Sequence, residues 1–394
     1  MDIRALAEKY YPYILEQYQW FHRHPELSWQ EYDTTARIQA ELEALGLTVR
    51  RFDGHTGCTA EIRGGKTKPG SPLIVLRADI DALPIQECTG LPYASENDGV
   101  MHACGHDSHI SMLLGAAHIL TELRDELEGT VRLLFQAAEE TCHGAEYFVQ
   151  QGVLDGADAV YGSHIWRMEA PLVSVDPGRR MASVDNFKIV VHGTATHATT
   201  PHLGADAIVA AAAIITNLQT LVSRTNNPLN PLVLTIGEIR GGTRFNILAD
   251  RVEMVGTVRT FDRAYRATIE QSVRKIVTST AEALGTTAEL EYGYYASAVY
   301  NSSEELNAIA REAAEKVAGA DNVVHTPETI GSEDFAYYMD RIPGFFAFIG
   351  GYNSAKGRNY GNHSDKFAIE ETAMIGGAAL YAQFAVDFLH KTAR

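Results

Sequence analysis

Cysteine is scarce in this chain. Four of them, Cys58, Cys88, Cys104 and Cys142, are scattered through 394 residues, too few for a disulfide framework, and a reducing cytoplasm is the simplest compartment for that usage. Paired C-x-x-C spacing is absent, which removes the usual frame of a structural zinc module. No apolar run approaches the ~20 residues of a membrane-spanning helix. The N-terminal "MDIRALAEKYYPYILEQYQWFHRHPELS" lacks the apolar stretch of a signal peptide, because acids and tyrosines interrupt it. Basic residues are outnumbered, 33 against 50 acidic, giving a formal net charge of −17. Such a surface repels phosphate backbones, so nucleic acid is not expected as a partner. Internal repeats and low-complexity tracts are also missing.

What is present is a core. Apolar residues make up 45% of the chain, and its length suits two or three domains. "PLIVLRADIDALP" places Leu73, Ile74, Val75 and Leu76 in an unbroken apolar run, the mark of a strand covered on both faces. "TVRLLFQAAEE", "DAVYGSHIW" and "GFFAFIGGY" read the same way. "HISMLLGAAHIL" spaces Ile110, Leu113, Leu114 and Ala117 along one helix face, and a helical tail begins near Glu370. Strands alternating with helices predict an α/β fold with a mostly parallel sheet flanked by helices. The middle of the chain differs. "FKIVVHG", "GADAIVAAAAIITNLQTLV", "PLVLTIGEI", "RVEMVGTVRT", "RATIEQSVRKIVTSTAEALG" and "TAELEYGYY" read strand-helix-strand-strand-helix-strand, the order of a ferredoxin-like α+β sandwich. The expected division is 1–185 for the first part of a large domain, 186–297 for an inserted small one, and 298–394 for the remainder. A small domain inserted in a larger one usually closes over something.

The chemistry-bearing residues follow the apolar strands. Leu73–Leu76 leads to Asp79 and Asp81, Val131–Phe135 to Glu139 and Glu140, and Ala159–Tyr161 to His164. Ligands of an open parallel sheet bind outside the carboxyl ends of its strands, so these side chains are expected around one crevice. "MHACGHDSHI" adds Cys104 and His106 just before a helix start, where amide-rich backbone favours anions. Thiolate, imidazole and carboxylate together suit one or two divalent transition metals. The consecutive glutamates are expected to point in different directions at a strand end, one towards metal and one towards a water. Each feature has a plainer reading. A lone histidine is more often a packing residue, a glutamate pair a solvated face, and a buried free cysteine a small hydrophobe. Their common position after strand ends favours a catalytic metal site.

These residues carry a resemblance. "RADIDALP", "MHACGHDSH", "LLFQAAEE", "GSHIW", "THATTPH", "GGTRFNILAD", "GSEDF" and "NHSDKF" occur in the order seen in the di-metal amidohydrolases. That group includes hippurate hydrolase, the plant auxin-conjugate hydrolases, bacterial N-acyl-amino-acid amidohydrolases and related aminoacylase-type carboxypeptidases. The likeness runs from "HRHPELS" at His22 to the C-terminal helix. It implies a di-zinc-peptidase-like catalytic domain with an inserted lid and dimerisation domain. By position it implies Cys104, His106, Glu140, His164 and His363 as ligands of two divalent metal ions per subunit, manganese or zinc, with nickel or cobalt admissible. Glu139 matches the general base, and Asp81 the aspartate that buttresses the metal site. His197 matches the lid histidine that stabilises the tetrahedral oxyanion, often from a partner subunit. Asn246 and Arg259 match positions that hold a substrate carboxylate, with His202 a weaker candidate nearby. His102 and His109 match no ligand and are read as packing or supporting residues, and Asp107 as a helix-start residue. "TCHGAEYF" departs from a glycine-rich pattern, putting Cys142 and His143 where they could line an acyl pocket.

The function implied is metal-dependent hydrolysis of N-acyl-amino acids by a homodimer joined through its lid domain. A carboxypeptidase or dipeptidase acting on short peptides is the alternative within the class. A non-catalytic metal-binding scaffold and a redox role for Cys104 are alternatives outside it.

Overall fold

The run Leu73–Leu76 does form a buried strand in the computed structural model of the chain, which describes residues 2–393. The structure divides into two units, one made of Met1–Arg180, Tyr300–Pro327 and Asp334–Arg394, the other of Met181–Val299 and Glu328–Glu333. In chain order the elements of the first unit begin with α1 (Ile3–Arg23), α2 (Tyr32–Ala44), β1 (Val49–Phe52), β2 (His55–Arg63), β3 (Leu73–Asp79) and α3 (His106–Glu122). They continue through β4 (Thr130–Gln136), α4 (Gly144–Gln150), β5 (Ala159–Glu169) and β6 (Val173–Ser174). Strand β7 (Gly178–Met181) leads the chain out of this unit. The second unit carries β8 (Asp185–His192), α5 (Ala207–Thr220), β9 (Leu232–Gly241), β10 (Arg251–Thr260), α6 (Arg263–Ala283) and β11 (Thr287–Tyr294). After β12 (Val299–Asn301), the first unit resumes with α7 (Glu304–Ala318), α8 (Ala336–Met339), β13 (Gly344–Tyr352) and α9 (Ala373–Thr392).

The sheet of the first unit runs β1-β2-β4-β3-β5-β13-β6. Strands β4, β3, β5 and β13 are parallel, and antiparallel strands close both ends. This is the mostly parallel α/β sheet the apolar runs predict. Helices α1, α3 and α9 pack on one another, with α3 and α9 against β3. Helix α3 is buried almost throughout, Asp107, Ser108, His109 and Ser111 included, which is more than the one-faced spacing of Ile110, Leu113, Leu114 and Ala117 predicts. All four cysteines are free thiols.

The second unit is a four-stranded antiparallel sheet in the order β11-β8-β10-β9, the order of a ferredoxin-like sandwich. Strand β10 alternates buried Val252, Met254 and Val258 with more exposed neighbours. Against the sheet, α6 lays Ile269, Val273, Val277 and Ala281 at four-residue spacing. Asp206 and Asp262 cap α5 and α6 by accepting backbone N–H bonds from Ile208, Val209 and Tyr265. The unit begins at Met181 rather than Asn186, and Glu328–Glu333 returns to it. That return carries no sequence signal, since the bonds that hold it join distant parts of the chain: an isolated bridge of Met181 with Thr329, the Ala182 N–H donation to the Gly331 carbonyl at 2.8 Å, and the Arg259 Nη1 donation to Ser332 Oγ at 2.8 Å. One helical stretch, Ala207–Thr225, is long and apolar enough to cross a membrane by length and composition, although only 33% of it is buried. Its apolar stretch is broken by Thr216, Asn217 and Gln219, so it does not read as an unbroken run.

Candidate metal centre

The "CGH" turn depends on its glycine. Gly105 caps the N-terminus of α3 with φ +91, and a Cβ there would lie 2.4 Å from Ile165 Cγ2. Left-handed backbone and the absence of room both require glycine. The turn leaves Cys104 on one side and His106 as the first residue of α3. His106 Nδ1 donates to the Asp81 carbonyl at 2.9 Å, so its Nε2 is the unprotonated nitrogen in the neutral ring. His164 repeats the arrangement. Its Nδ1 donates to the Ile165 carbonyl at 2.6 Å, and its Nε2 lies 3.4 Å from Cys104 Sγ. Backbone carbonyls thus fix both tautomers with Nε2 turned inward, as ligand histidines need.

His164 is not beyond its strand, as the apolar run suggests, but within β5, opposite Phe348 of β13. Pairing of β5 with β3 ends at Gly162. Past that point β5 pairs with β13 and no longer with β3, although β3 runs on to Asp79, and His164 reaches the crevice where that pairing has stopped. His363 arrives on the loop before α9 in a left-handed conformation, φ 67. Its backbone N–H donates to the Ala103 carbonyl at 2.7 Å, and the adjacent Asn362 Nδ2 donates to the Cys104 carbonyl at 3.2 Å.

The glutamate pair also differs from its expected placement. β4 ends at Gln136, and Glu139–Thr141 forms a single 3-10 turn between two left-handed non-glycine residues, Ala138 at φ 59 and Cys142 at φ 57. Asp81 ties this turn down. Its Oδ1 accepts Glu139 N–H at 3.1 Å, and its Oδ2 accepts Glu140 N–H at 3.0 Å and the Ser28 hydroxyl at 2.6 Å. Burial works against the Asp81 charge, but the bonds from His106, Ser28 and the turn outweigh it and hold the carboxyl below its ordinary range. Glu139 is 7% exposed and accepts Asp334 N–H at 3.3 Å. Glu140 Oε1 lies 3.5 Å from His363 Nε2 and 3.9 Å from His106 Nε2.

Three groups therefore overlap, the ligand atoms of each lying within 4.8 Å of one another: Cys104–His106–His164, Cys104–Glu140–His363 and His106–Glu139–Glu140. Every member belongs to the first unit. The fit to a metal can be tested on the donors themselves. His106 Nε2 and Glu140 Oε1 are buried and lack a hydrogen-bond partner among the described residues, a costly state that a cation would relieve. The thiol of Cys104 and the carboxylate of Glu140 push the His363 imidazole up to about 10. Burial and the neighbouring imidazoles push His164 well below its usual value. Sulfur, imidazole and carboxylate in this density fit transition-metal ions.

The other residues of "MHACGHDSHI" have separate roles. His109 Nδ1 donates to Asp79 Oδ1 at 2.5 Å, and its Nε2 accepts Ile165 N–H at 2.8 Å. Both nitrogens are in use, so His109 braces β5 beside His164 and is not an open ligand, although it groups with Asp79 and His106. Both ring nitrogens of His102 are buried without a hydrogen-bond partner among the described residues, and burial lowers its pKa to about 4. Asp107 does lie in the first turn of α3, where its Oδ2 accepts His22 Nδ1 at 2.6 Å. Burial disfavours a charged His22, but the carboxylates of Asp107 and Glu87 prevail and raise it to about 9.

Sequence reasoning passed over Arg77, Glu31, Asp334 and the His22–Asp107 pair. Charged residues at 1% exposure or less follow no periodicity, and the one available signal was that Arg77 interrupts an apolar strand.

His197, His202, Asn246 and Arg259 all belong to the second unit. His197 and Ile247 form an isolated antiparallel bridge, and Ala198 N–H donates to the Asn246 carbonyl at 3.1 Å, so His197 and Asn246 come from adjoining backbone. The His197 ring is exposed. Its Nδ1 accepts Thr199 N–H at 3.2 Å, which leaves the proton of the neutral ring on Nε2. Asn246 Oδ1 is buried without a partner among the described residues. His202 is exposed on a 3-10 turn.

Comparison with known proteins shows the family. The family model described as peptidase family M20/M25/M40 matches residues 75–387. N-acetyl-L-cysteine deacetylase of Bacillus subtilis (strain 168) is 43% identical over 355 residues, 90% of this chain and 83% of that protein. Thermostable carboxypeptidase 1 of Saccharolobus solfataricus is 36% identical over 394 residues, 99% of this chain and 98% of that protein. The solved structure of Bacillus subtilis YXEP, described as a dinuclear metal-binding peptidase of the M20 family, has a TM-score of 0.85 at 36% identity, covering 97% of this chain and 99% of that one. The chain belongs to peptidase family M20/M25/M40 and is a metal-dependent hydrolase of amide bonds.

Proposed function

We propose that this hydrolase cleaves the amide between an acyl group and an α-amino acid, releasing a carboxylic acid and the free amino acid. One observation carries the reading. Glu139 lies with His106 and Glu140 and outside both groups that contain Cys104, and its carboxylate accepts Asp334 N–H, which supports a base standing beside the ligand atoms. Cys104, His106, Glu140, His164 and His363 are assigned to two divalent ions, with zinc favoured by the thiolate and manganese admitted by the carboxylate. Such ions lower the pKa of a bound water and polarise the amide carbonyl. Glu139 takes the proton from the attacking water and delivers it to the leaving nitrogen, while Asp81 keeps the Glu139–Glu140 turn in place. Within the second unit, His197 is assigned to the oxyanion, which its exposed Nε2–H supports. Arg259 and Asn246 are assigned to the substrate carboxylate, and His202 to their surroundings. An N-acyl substrate is preferred to a free peptide because the deacetylase relative acts on an N-acetyl-amino acid by its name.

The test compares N-acetyl- and N-benzoyl-amino acids with dipeptides that keep a free amino group. Turnover of the blocked substrates is expected to vanish on chelation and to return with Zn²⁺ or Mn²⁺. Faster cleavage of the dipeptides would move the assignment to the carboxypeptidase-type alternative, which the Saccharolobus relative keeps open. Activity indifferent to chelation would end both.

We also propose a homodimer joined through the second unit. Strand β9 is an edge of its sheet. Ile239 on β9 is 54% exposed, and Ile208, Val209 and Phe245 are exposed nearby, where Ile208 lies against Gly242. An open edge with apolar neighbours is a ready surface for strand pairing, and a second copy supplies the matching strand by two-fold symmetry. Sedimentation of the native protein is expected to give twice the monomer mass, and a monomer across the micromolar range would refute it.

A further inference from the structure

The motif "HPELSWQE", Pro25 to Glu31 with its leading His24, has entered the site only through Ser28, yet more of it meets the turn that carries Glu139 and Glu140. Glu26 offers its backbone carbonyl to Ala82 N–H at 2.8 Å, and Leu27 bridges Ala82 in parallel. The Ser28 hydroxyl donates to Asp81. Glu31, which is fully buried, accepts Ala138 N–H on Oε1 at 2.9 Å, and Oε2 accepts the Thr56 hydroxyl. Three consecutive amides, those of Ala138, Glu139 and Glu140, thus end on two buried carboxylates, the first on Glu31 and the others on Asp81.

We propose that Glu31 is a positioning residue for the Glu139–Glu140 turn, acting through the Ala138 amide and touching neither substrate nor metal. The inference rests on the assignment of Glu139 as general base. Three features separate this role from a merely helical one. Glu31 stands at the N-cap of α2, but its side chain makes no capping bond, and the first-turn amides of Asp33 and Thr34 go to Glu26 instead. The carboxylate is turned away from its own helix. Ala138 is a non-glycine residue in left-handed backbone, a conformation that costs energy and persists only where surroundings enforce it. Finally, Glu31 sits in an expensive place. Burial, with the charge of Asp81 beside it, raises its pKa to about 7. The carboxyl is kept in that place by the bonds from Ala138 N–H and the Thr56 hydroxyl.

The experiment compares Glu31→Ala and Glu31→Gln in the metal-loaded protein and reads four quantities: kcat, KM, metal-to-protein ratio, and hydrogen exchange of the segment containing Ala138. Glutamine keeps an oxygen acceptor for Ala138 N–H and an amide donor for Thr56. For Glu31→Ala, kcat is expected to fall by ~10–100-fold, the scale of a small misplacement of a reacting group. KM and metal content should stay near parental values, and Ala138 should exchange faster while the β3 and β5 amides stay protected. Glu31→Gln should restore both kcat and protection. Parental exchange at Ala138 in Glu31→Ala overturns the proposal, as does a glutamine variant as impaired as the alanine one. Loss of metal in step with kcat overturns it too. Exchange is read without substrate, so it decides the anchoring role even if N-acyl-amino acids prove not to be substrates, a failure that parental kinetics alone would reveal.

Discussion

Glu139→Gln is expected to lower kcat on an N-acyl-amino acid by roughly 10²–10⁴-fold, the range attributed to a positioned general acid–base, with the metal content of the parent protein. The substitution keeps the shape of a side chain that is 7% exposed and keeps an oxygen able to accept Asp334 N–H, so the turn need not move. What it removes is the capacity to take a proton from water and return one to the departing nitrogen. KM should change little, because the group acts in the transition state and not in holding substrate. Glu140→Gln provides the contrast. Glu140 Oε1 is the buried, unpartnered oxygen near both His106 and His363, so its neutralisation should lower metal content along with rate. Kinetics beside metal analysis of the two variants decides the division of labour. Metal loss in Glu139→Gln would make it a ligand and leave the base unassigned.

The strands that frame the centre were legible because burial on both faces writes an unbroken apolar run, as in Leu73–Leu76 and Val131–Phe135. Cys104, His106, Glu140 and His164, which the structure brings together, drew notice because unlike donors follow those runs or precede a helix start, whereas His363 was named only by the resemblance. Where a strand stops was not legible. β5 continues through His164 because β13 goes on pairing with it after its pairing with β3 has stopped, a fact of neighbours and not of local sequence. The turn that aims Glu139 and Glu140 was also hidden, because its left-handed Ala138 and Cys142 carry none of the glycine that usually announces such backbone. The supports were hidden for a third reason. Glu31 meets an amide 107 residues away and Asp81 one 58 residues away, and no periodic pattern encodes a hydrogen bond across that separation.

Arg77 illustrates that last point most strongly, and Arg77→Met is expected to be the most destabilising single change in the first unit described here. The Arg77 side chain is 1% exposed. Its Nη1 meets Asp79 Oδ2 at 2.7 Å, its Nη2 meets Asp334 Oδ1 at 2.9 Å, and its Nε donates to Gln136 Oε1 at 2.7 Å. Methionine fills most of the volume but leaves two buried carboxylates without their cation, a loss of roughly 3–5 kcal/mol when one partner of a buried pair is removed. Lysine should not rescue it, since one ammonium cannot reproduce the three-way fork. Asp79 supplies the pH signature. Burial opposes its charge, but His106, Arg77 and His109 hold its carboxyl well below the usual range. A depressed carboxyl contributes stability that is present above its unfolded-state pKa and is lost as pH falls through the folded-state value. Without Arg77 part of that contribution disappears, so the gap in melting temperature between parent and variant should be wide near neutrality and narrow as the pH is lowered and Asp79 takes up its proton. The damage should also reach the metal centre, because Asp79 orients His109 and His109 holds Ile165 N–H beside His164. Calorimetric melting at several pH values, with metal analysis of the folded variant, reads both effects. A variant that melts with the parent at neutral pH would show that the two carboxylates find other partners, and the buried fork would then be a consequence of the fold and not one of its supports.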